Sequence, residues 1–314
     1  MRHVLVLAGG LSHERDVSLR SGRRVADALT RSGSETHVRD VDTTLVGAIK
    51  SSRPEVVWPV LHGATGEDGA LRDVLASLGV AYVGSRPGSC RLTWDKPVAK
   101  ALMRAAGIST PDGVALSHAT FRELGASALL ESLIDSLGLP MAVKPARGGS
   151  ALGLTIVRSA QDLPSAMVTA YAYGDIVLIE QFIEGTEVAL SIIEDEHGKV
   201  HTLPAVEIVP DGGVYSYEAR YTAGATEFFT PARLSRSAAD SAAAASLTAY
   251  RTLGHQHLSR VDLIIDADEC PWFLEANVSP GMTETSLLPM AVEAAGLDAS
   301  EVYAGIVERA VASV

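Results

Sequence analysis

Four side chains able to hold a charged ligand fall in two pairs at two-residue spacing: Arg260 with Asp262, and Glu275 with Asn277. They belong to the stretch R-V-D-L-I-I-D-A-D-E-C-P-W-F-L-E-A-N. Val261, Leu263 and Ile265 alternate with Arg260, Asp262 and Ile264, and Trp272, Leu274 and Ala276 alternate with Phe273, Glu275 and Asn277. Period-two alternation signals strands, and Ala267–Cys270 is polar enough to be the turn. A hairpin closed by those four residues sets Asp262 opposite Glu275 and Arg260 opposite Asn277, all on one face. Two carboxylates and an amide oxygen suit Mg²⁺, whose other ligands come from phosphate and water. Arg260 would face the anion that the metal holds. A solvated sheet face with ordinary ion pairs would use the same residue types. The residues that follow favour a ligand. Ser279-Pro280-Gly281-Met282-Thr283 is a tight turn leading to Ser286-Leu287. Gly281 lets a backbone N–H come close to a ligand, where it can cradle a developing oxyanion.

The elements that must position this hairpin belong to an ordinary globular chain. Its 314 residues suffice for two or three modest domains. Hydrophobic residues make up 47% and charged residues 20%, as is ordinary for a soluble globular protein. A net charge of −12 argues against nucleic-acid binding through a basic surface. Two cysteines, Cys90 and Cys270, are too few for a disulfide framework or a Cys-rich zinc site. The opening M-R-H-V-L-V-L-A-G-G lacks the length and cleavage site of a signal peptide, and no apolar run is long enough to span a membrane. The expectation is a cytoplasmic enzyme with small-molecule substrates.

In chain order, an apolar strand over His3–Leu7, a glycine turn and a helix from near Ser18 open a βαβ unit. Full G-x-G-x-x-G is missing, so a dinucleotide site is not indicated. A strand over Glu35–Arg39, a helix over Thr44–Lys50 and a buried strand over Glu55–Leu61 follow. The last ends in the polar, glycine-dense loop His62–Gly69, before a helix from Ala70. Glu14, at the mouth of the first loop, suits either an ammonium ligand or the positive end of the next helix. His62 suits either a substrate contact or a structural role.

Beyond residue 92, a helix over Pro97–Ala106 precedes the strand Pro140–Pro145, the loop Ala146–Gly153 and the strand Leu154–Val157. Strand, glycine loop, strand is not a Walker P-loop, but its N–H groups can cover phosphates. Lys96 and Lys144 would add compact positive charge. A strand over Asp175–Ile183 runs into Glu184–Glu187, and strands over Glu187–Ile193 and Leu203–Ile208 follow. Tyr215–Gly224 has no clear periodicity and reads as a mobile lid. A helix over Ala238–Leu253 leads to the hairpin.

R-x-D followed by L-E-A-N-x-S-P-G-M-T-x-x-S-L resembles the metal-binding end of the ATP-grasp fold, specifically that of the D-alanine–D-alanine ligase family. G-G-x-S-x-E-R-x-V-S-L-x-S-G over Gly9–Gly22, H-G-x-x-G-E-D-G over His62–Gly69, the glycine flap, the Glu180–Glu187 segment and the lid support the likeness in family order. The resemblance implies an α/β protein of three domains. These are an N-terminal Rossmann-like open sheet (1–92), a central ATP-grasp domain (93–184) and a C-terminal ATP-grasp domain (185–314), with the nucleotide between the last two. It also implies ATP-dependent joining of two D-alanines through an acyl phosphate, for peptidoglycan precursors, in a homodimer.

By the same resemblance, Glu14 holds the first ammonium with His62 nearby, and Glu14, Ser150 and Tyr221 form a hydrogen-bonded triad. Lys96 and Lys144 meet phosphates. The Glu180, Gln181 and Ile183 segment reads the adenine edge, and Glu187 takes the ribose hydroxyls. Asp262, Glu275 and Asn277 hold two Mg²⁺ or Mn²⁺ ions, while Arg260 and the Gly281 N–H stabilise the oxyanion. Ser286 and Arg220 receive the second substrate's carboxylate, and Leu287 lines its methyl pocket. Arg72-Asp73, Ala151, Gln181 and Arg220 depart from the family's usual Gln-Gly, Ser, Lys and Lys. Arg72-Asp73 reads as a change in packing or interface, whereas Ala151, Gln181 and Arg220 leave room for another carboxylate–amine ligase using a different D-amino acid or dipeptide. A nucleotide-binding regulatory protein without catalysis is the rival of another class, which the complete hairpin set opposes. Tyr221 favours an amine acceptor over a hydroxy acid.

Overall fold

The computed structural model describes residues 1–222 and 224–313, with the side chains of Ala126, Ser127 and Tyr221 outside the described set. Three sheets carry the chain. The first contains β1 (His3–Leu7), β2 (Glu35–Arg39), β3 (Val56–Pro59) and β4 (Ala81–Tyr82), all parallel in the order β2-β1-β3-β4. The second is antiparallel, with β5 (Gly113–Ser117), β6 (Met141–Pro145), β7 (Thr155–Val157) and β8 (Ile176–Gln181) in the order β5-β8-β6-β7. The third contains β9 (Thr186–Glu194), β10 (Val200–Thr202), β11 (Val206–Pro210), β12 (Thr226–Phe229), β13 (Leu258–Ile265) and β14 (Pro271–Asn277). Its order is β12-β11-β9-β13-β14, with β10 beside β9.

Residue patterning explains how the sheets are covered. β1 is apolar on both faces because helices lie on both. Val4 and Val6 pack with Val25 and Leu29 of the helix Arg15–Arg31, while Leu5 and Leu7 pack with Leu45 and Ile49 of the helix Leu45–Ser52. The second sheet buries Met141, Val143, Val177 and Ile179 against the helices Ala126–Leu137 and Leu163–Tyr171. Lys144 and Glu180 alternate with these positions, as a one-sided sheet requires. In the third sheet Val188, Leu190, Val261 and Leu263 pack on the helix Arg236–Thr252 and on Ala99 and Met103 of the helix Lys96–Ala105. The opposite face carries Ala189, Ile193 and Leu258 into the same core as Val4, Val6 and Trp58 of the first sheet. Tyr303, from the C-terminal helix Ala299–Ala312, closes that core edge-to-face on Trp58, with ring centroids 5.6 Å apart.

The hairpin departs instructively from simple alternation. Asp262 pairs with Glu275 and Arg260 with Asn277, as the sequence predicts. The register then shifts, however, and Leu263 pairs with Phe273. The connection therefore runs over 266–270 rather than 267–270, and Leu274 is the extra residue of a β-bulge. Phe273 leaves the face expected from alternation and enters the core, while Leu274 and Glu275 both reach the cleft. Asp266 holds the turn, accepting from the N–H groups of Asp268 (3.0 Å) and Cys270 (2.8 Å) and from Trp272 Nε1 (2.7 Å).

Two other expectations shift. The first helix begins at Arg15, not near Ser18. The lid contains a short helix, Tyr217–Tyr221, whose N-cap Ser216 Oγ accepts from the Ala219 N–H at 3.2 Å. Among the described residues no helix is long and apolar enough to cross a membrane.

Candidate active site

Two adjoining cavities, of about 430 and 520 Å³, lie where the three sheets converge. The first is walled by Glu14, His62, Ser150, Arg260, Asn277 and Ser286; the second by Lys144, Glu180, Gln181, Ile183, Glu187 and Asp262. Lys96, Gly148, Gly149, Tyr215, Arg220 and Glu275 border both, and so mark the junction. All the sequence-predicted site residues with described side chains lie in this region.

The ribbon wall is a network of paired charges. Arg260 grips Asp262 with two bonds, Nε to Oδ1 at 2.7 Å and a terminal nitrogen to Oδ2 at 2.9 Å, in the bidentate geometry that suits guanidinium and carboxylate. Burial works against the Arg260 charge, but Asp262 outweighs it and raises the pKa above the ordinary value. Lys96 Nζ lies 3.3 Å from Glu275 Oε2 and donates to the Gly148 carbonyl at 2.6 Å, linking the ribbon to the flap. Burial would raise the Glu275 pKa, yet Lys96 and Lys144 bring it down to about 2. Glu275 is therefore anionic at neutral pH. Asn277 Oδ1 accepts from the Ser279 N–H at 2.7 Å and keeps a second lone pair. The ribbon's two carboxylates and this amide oxygen form the hard-oxygen set that Mg²⁺ or Mn²⁺ takes, so the residues fit such an ion.

The loops of the first lobe form the facing wall. Ser18 Oγ accepts from the Gly9 N–H (2.9 Å) and donates to the Val60 carbonyl (2.5 Å), tying the Glu14 loop to the His62 loop. Glu14 occupies the N-cap position but makes no capping bond. Its carboxylate instead accepts from Ser150 Oγ across the cleft. Ser150 and Ala151 both adopt left-handed backbone, with φ of 51° and 56°. Gly66 could be nothing larger, because a Cβ there would sit 2.0 Å from the Leu61 carbonyl oxygen. The next residue, Glu67, escaped notice as a site residue. It accepts from the Gly63 N–H at 2.8 Å, and burial, aided by Glu14, pushes its pKa up to about 8. Burial lowers the His62 pKa, and its Nε2 has no hydrogen-bond partner among the described residues.

At the floor, a Cβ on Gly281 would lie 2.7 Å from Ser286 Oγ, so that hydroxyl fits against bare backbone. Ser286 Oγ accepts from the Thr283 N–H at 3.0 Å, and Leu287 begins the next helix with its side chain buried.

In the second cavity, Lys144 and Lys100 meet the two oxygens of Glu180, Lys100 at 2.8 Å from Oε2. Lys100 is another residue missed in the sequence. Burial would lower the Lys144 pKa, but Glu180 and Glu275 raise it overall, so Lys144 stays cationic. Burial pushes Glu187 up to about 7. Ala142, Ile264 and Leu274 supply apolar wall beside these charges, which suits a planar base. Tyr215, also missed, stands at the junction with the Arg220 guanidinium 4.0 Å over its ring. The expected Tyr221 arm of the triad lies outside the described residues, while its Glu14–Ser150 arm is present.

Comparison with known proteins gives concordant matches. The family model described as D-ala D-ala ligase C-terminus matches residues 102–308. The D-alanine–D-alanine ligase of Bordetella petrii is 40% identical over 309 residues, covering 98% of this chain and 92% of the relative. That of Nitrosomonas europaea is 41% identical over 305 residues, covering 97% and 96%. Among solved structures, the D-alanine–D-alanine ligase from Bacillus anthracis complexed with ATP superposes with a TM-score of 0.84 at 29% identity, covering 100% of this chain and 98% of the other. The VanG D-Ala:D-Ser ligase from Enterococcus faecalis gives 0.84 at 26% identity, with 98% of each chain covered.

Proposed function

This chain belongs to the D-alanine–D-alanine ligase family, and on that premise we propose that it joins two D-alanines into the dipeptide while converting ATP to ADP and phosphate. The observation that carries this reading is the junction. A small charged cavity and a larger, partly apolar one meet at Glu275, Lys96 and the flap, so an amino-acid carboxylate in one lies within reach of a phosphoryl group in the other.

In the first step the carboxylate of the first D-alanine attacks the terminal phosphoryl, forming an acyl phosphate and releasing ADP. In the second, the amine of the second D-alanine attacks the acyl carbon and phosphate leaves. Both steps bring anions together, so neutralising charge is the main task. Glu14 holds the first ammonium, beside His62. Lys96 and Lys144 face the phosphates, the Glu180–Ile183 strand end with Gln181 meets the adenine edge, and Glu187 takes the ribose. Arg260 and the Gly281 N–H meet the tetrahedral oxyanion, Ser286 and Arg220 take the second carboxylate, and Leu287 packs on its methyl group. Mg²⁺ or Mn²⁺, two ions by the family's pattern, would be held by Asp262, Glu275 and Asn277 and would supply charge neutralisation on the phosphates. Ser150, bonded to Glu14, holds the flap down and excludes water. The same reading makes the enzyme a homodimeric source of peptidoglycan precursor, divided at about residues 92 and 184.

The test is ADP release with D-alanine, L-alanine, D-serine and D-lactate, with products identified by mass. D-alanine alone should turn over and yield the dipeptide. Turnover that requires a different second amino acid would overturn the reading. Arg220, larger than lysine and stacked on Tyr215, is the residue through which such a specificity would enter.

A further inference from the structure

We infer that Lys100, which reaches neither cavity, is a positioning residue that leaves the charge of Lys144 available to the nucleotide's phosphates. The inference rests on the reading of the second cavity as a nucleotide site. Lys100 and Glu180 are almost wholly buried, at 2% and 1% exposure. Lys100 Nζ lies 2.8 Å from Glu180 Oε2, and Lys144 occupies the other oxygen. Lys144 borders the cavity and Lys100 does not. One carboxylate shared by two ammonium groups leaves the trio with a single positive charge, and Lys144 is the ammonium group that faces the cavity.

Lys100 also donates to Thr110 Oγ1 at 3.2 Å and to the Phe273 carbonyl at 3.4 Å. An ion pair to Glu180 and two hydrogen bonds to two further segments hold the ammonium group in place. Phe273 directly precedes the bulge that turns Leu274 and Glu275 into the cleft. Lys100 thus joins β8 of the second sheet to β14 of the third behind the nucleotide. Without it, Glu180 would close on Lys144 as a neutral pair and the phosphates would lose their partner. A buried lysine is costly to keep charged. Burial here pulls its pKa down to about 8 despite Glu180, a cost that a neutral residue of similar length would avoid.

The test uses the full chain and a fluorescent ATP analogue, with thermal melts to confirm folding. Lys100→Met should weaken analogue binding by about tenfold or more and raise KM for ATP by a similar factor. Its kcat and KM for D-alanine should change by less than about threefold. Lys100→Gln, which keeps a donor without the charge, should behave alike and serves if the methionine variant does not fold. The deciding variant is Lys100→Met/Glu180→Gln. Removing the carboxylate frees Lys144, so the double variant should bind the analogue more tightly than Lys100→Met, whereas a purely structural role would make the double variant worse. Unchanged binding in Lys100→Met, or no recovery in the double variant, would overturn the inference. Failure of the wild type to bind the analogue would instead overturn the nucleotide site itself.

Discussion

Glu275, half-buried, and Glu67, buried, line the same cleft, yet they stand on unlike walls in opposite states. Glu275 belongs to a ribbon whose charges are matched one against another: Arg260 with Asp262, Lys96 with Glu275. It is held at about 2. Glu67 belongs to a loop wall where two carboxylates, its own and that of Glu14, crowd together, and it is pushed up to about 8. On the proposed reading, the ribbon wall would hold the cations that neutralise phosphate charge. On the proposed reading, the crowded carboxylates of the loop wall would receive the ammonium group of the first substrate. Precision follows the same division. Ribbon side chains stand on strands paired over a buried face, while the Ser150 flap is linked to the loop wall through Glu14 and to the ribbon through Lys96.

Removing the ribbon charge should have the largest effect. Glu275→Gln keeps the shape and deletes the anion, so ADP formation should fall by about 10³-fold or more. A loss under tenfold would dissolve the distinction between the walls. Ser150→Ala cuts the tie between the flap and Glu14. It should lower kcat/KM for D-alanine by about 10–100-fold, with a smaller change in KM for ATP, in steady-state assays with each substrate varied. An effect confined to ATP would move Ser150 to the other wall.

The smallest effect is on stability. A carboxyl whose folded pKa is raised contributes stability fully below its unfolded value, near 4.5, and loses it as pH climbs through its folded value, about 8. Glu67→Gln removes that loss. The variant's melting temperature relative to wild type should therefore be higher at pH 8 than at pH 5, by about 2–4 °C. A difference independent of pH would mean that Glu67 is ionised and belongs with the ribbon acids.

The ribbon was legible from the sequence because its register follows from which residues must be buried. Asp262 and Glu275 could face each other only if Val261 and Leu263 faced the core. The bulge was not legible, since Phe273 and Leu274 are both apolar and only the packed core decides which turns inward. Glu67 lay inside a recognised motif, but its protonation depends on burial that no spacing reveals. Lys100 resembled any helix-surface lysine, because its partners Glu180 and Phe273 are 80 and 173 positions away. Tyr215 opened a segment without periodicity, so nothing singled it out from Tyr217.

The core shared by Trp58 and Tyr303 makes the beginning and end of the chain one solid body. The lobe built on β5–β8 has a core of its own and meets that body through backbone bonds from the Phe273 N–H to the Ser109 carbonyl and from the Lys96 N–H to the Ala146 carbonyl. If the spent nucleotide leaves by movement between the lobes, that lobe is the jaw that swings and the rest is the skull. An inhibitor wedged at its joint would stall turnover without resembling any substrate.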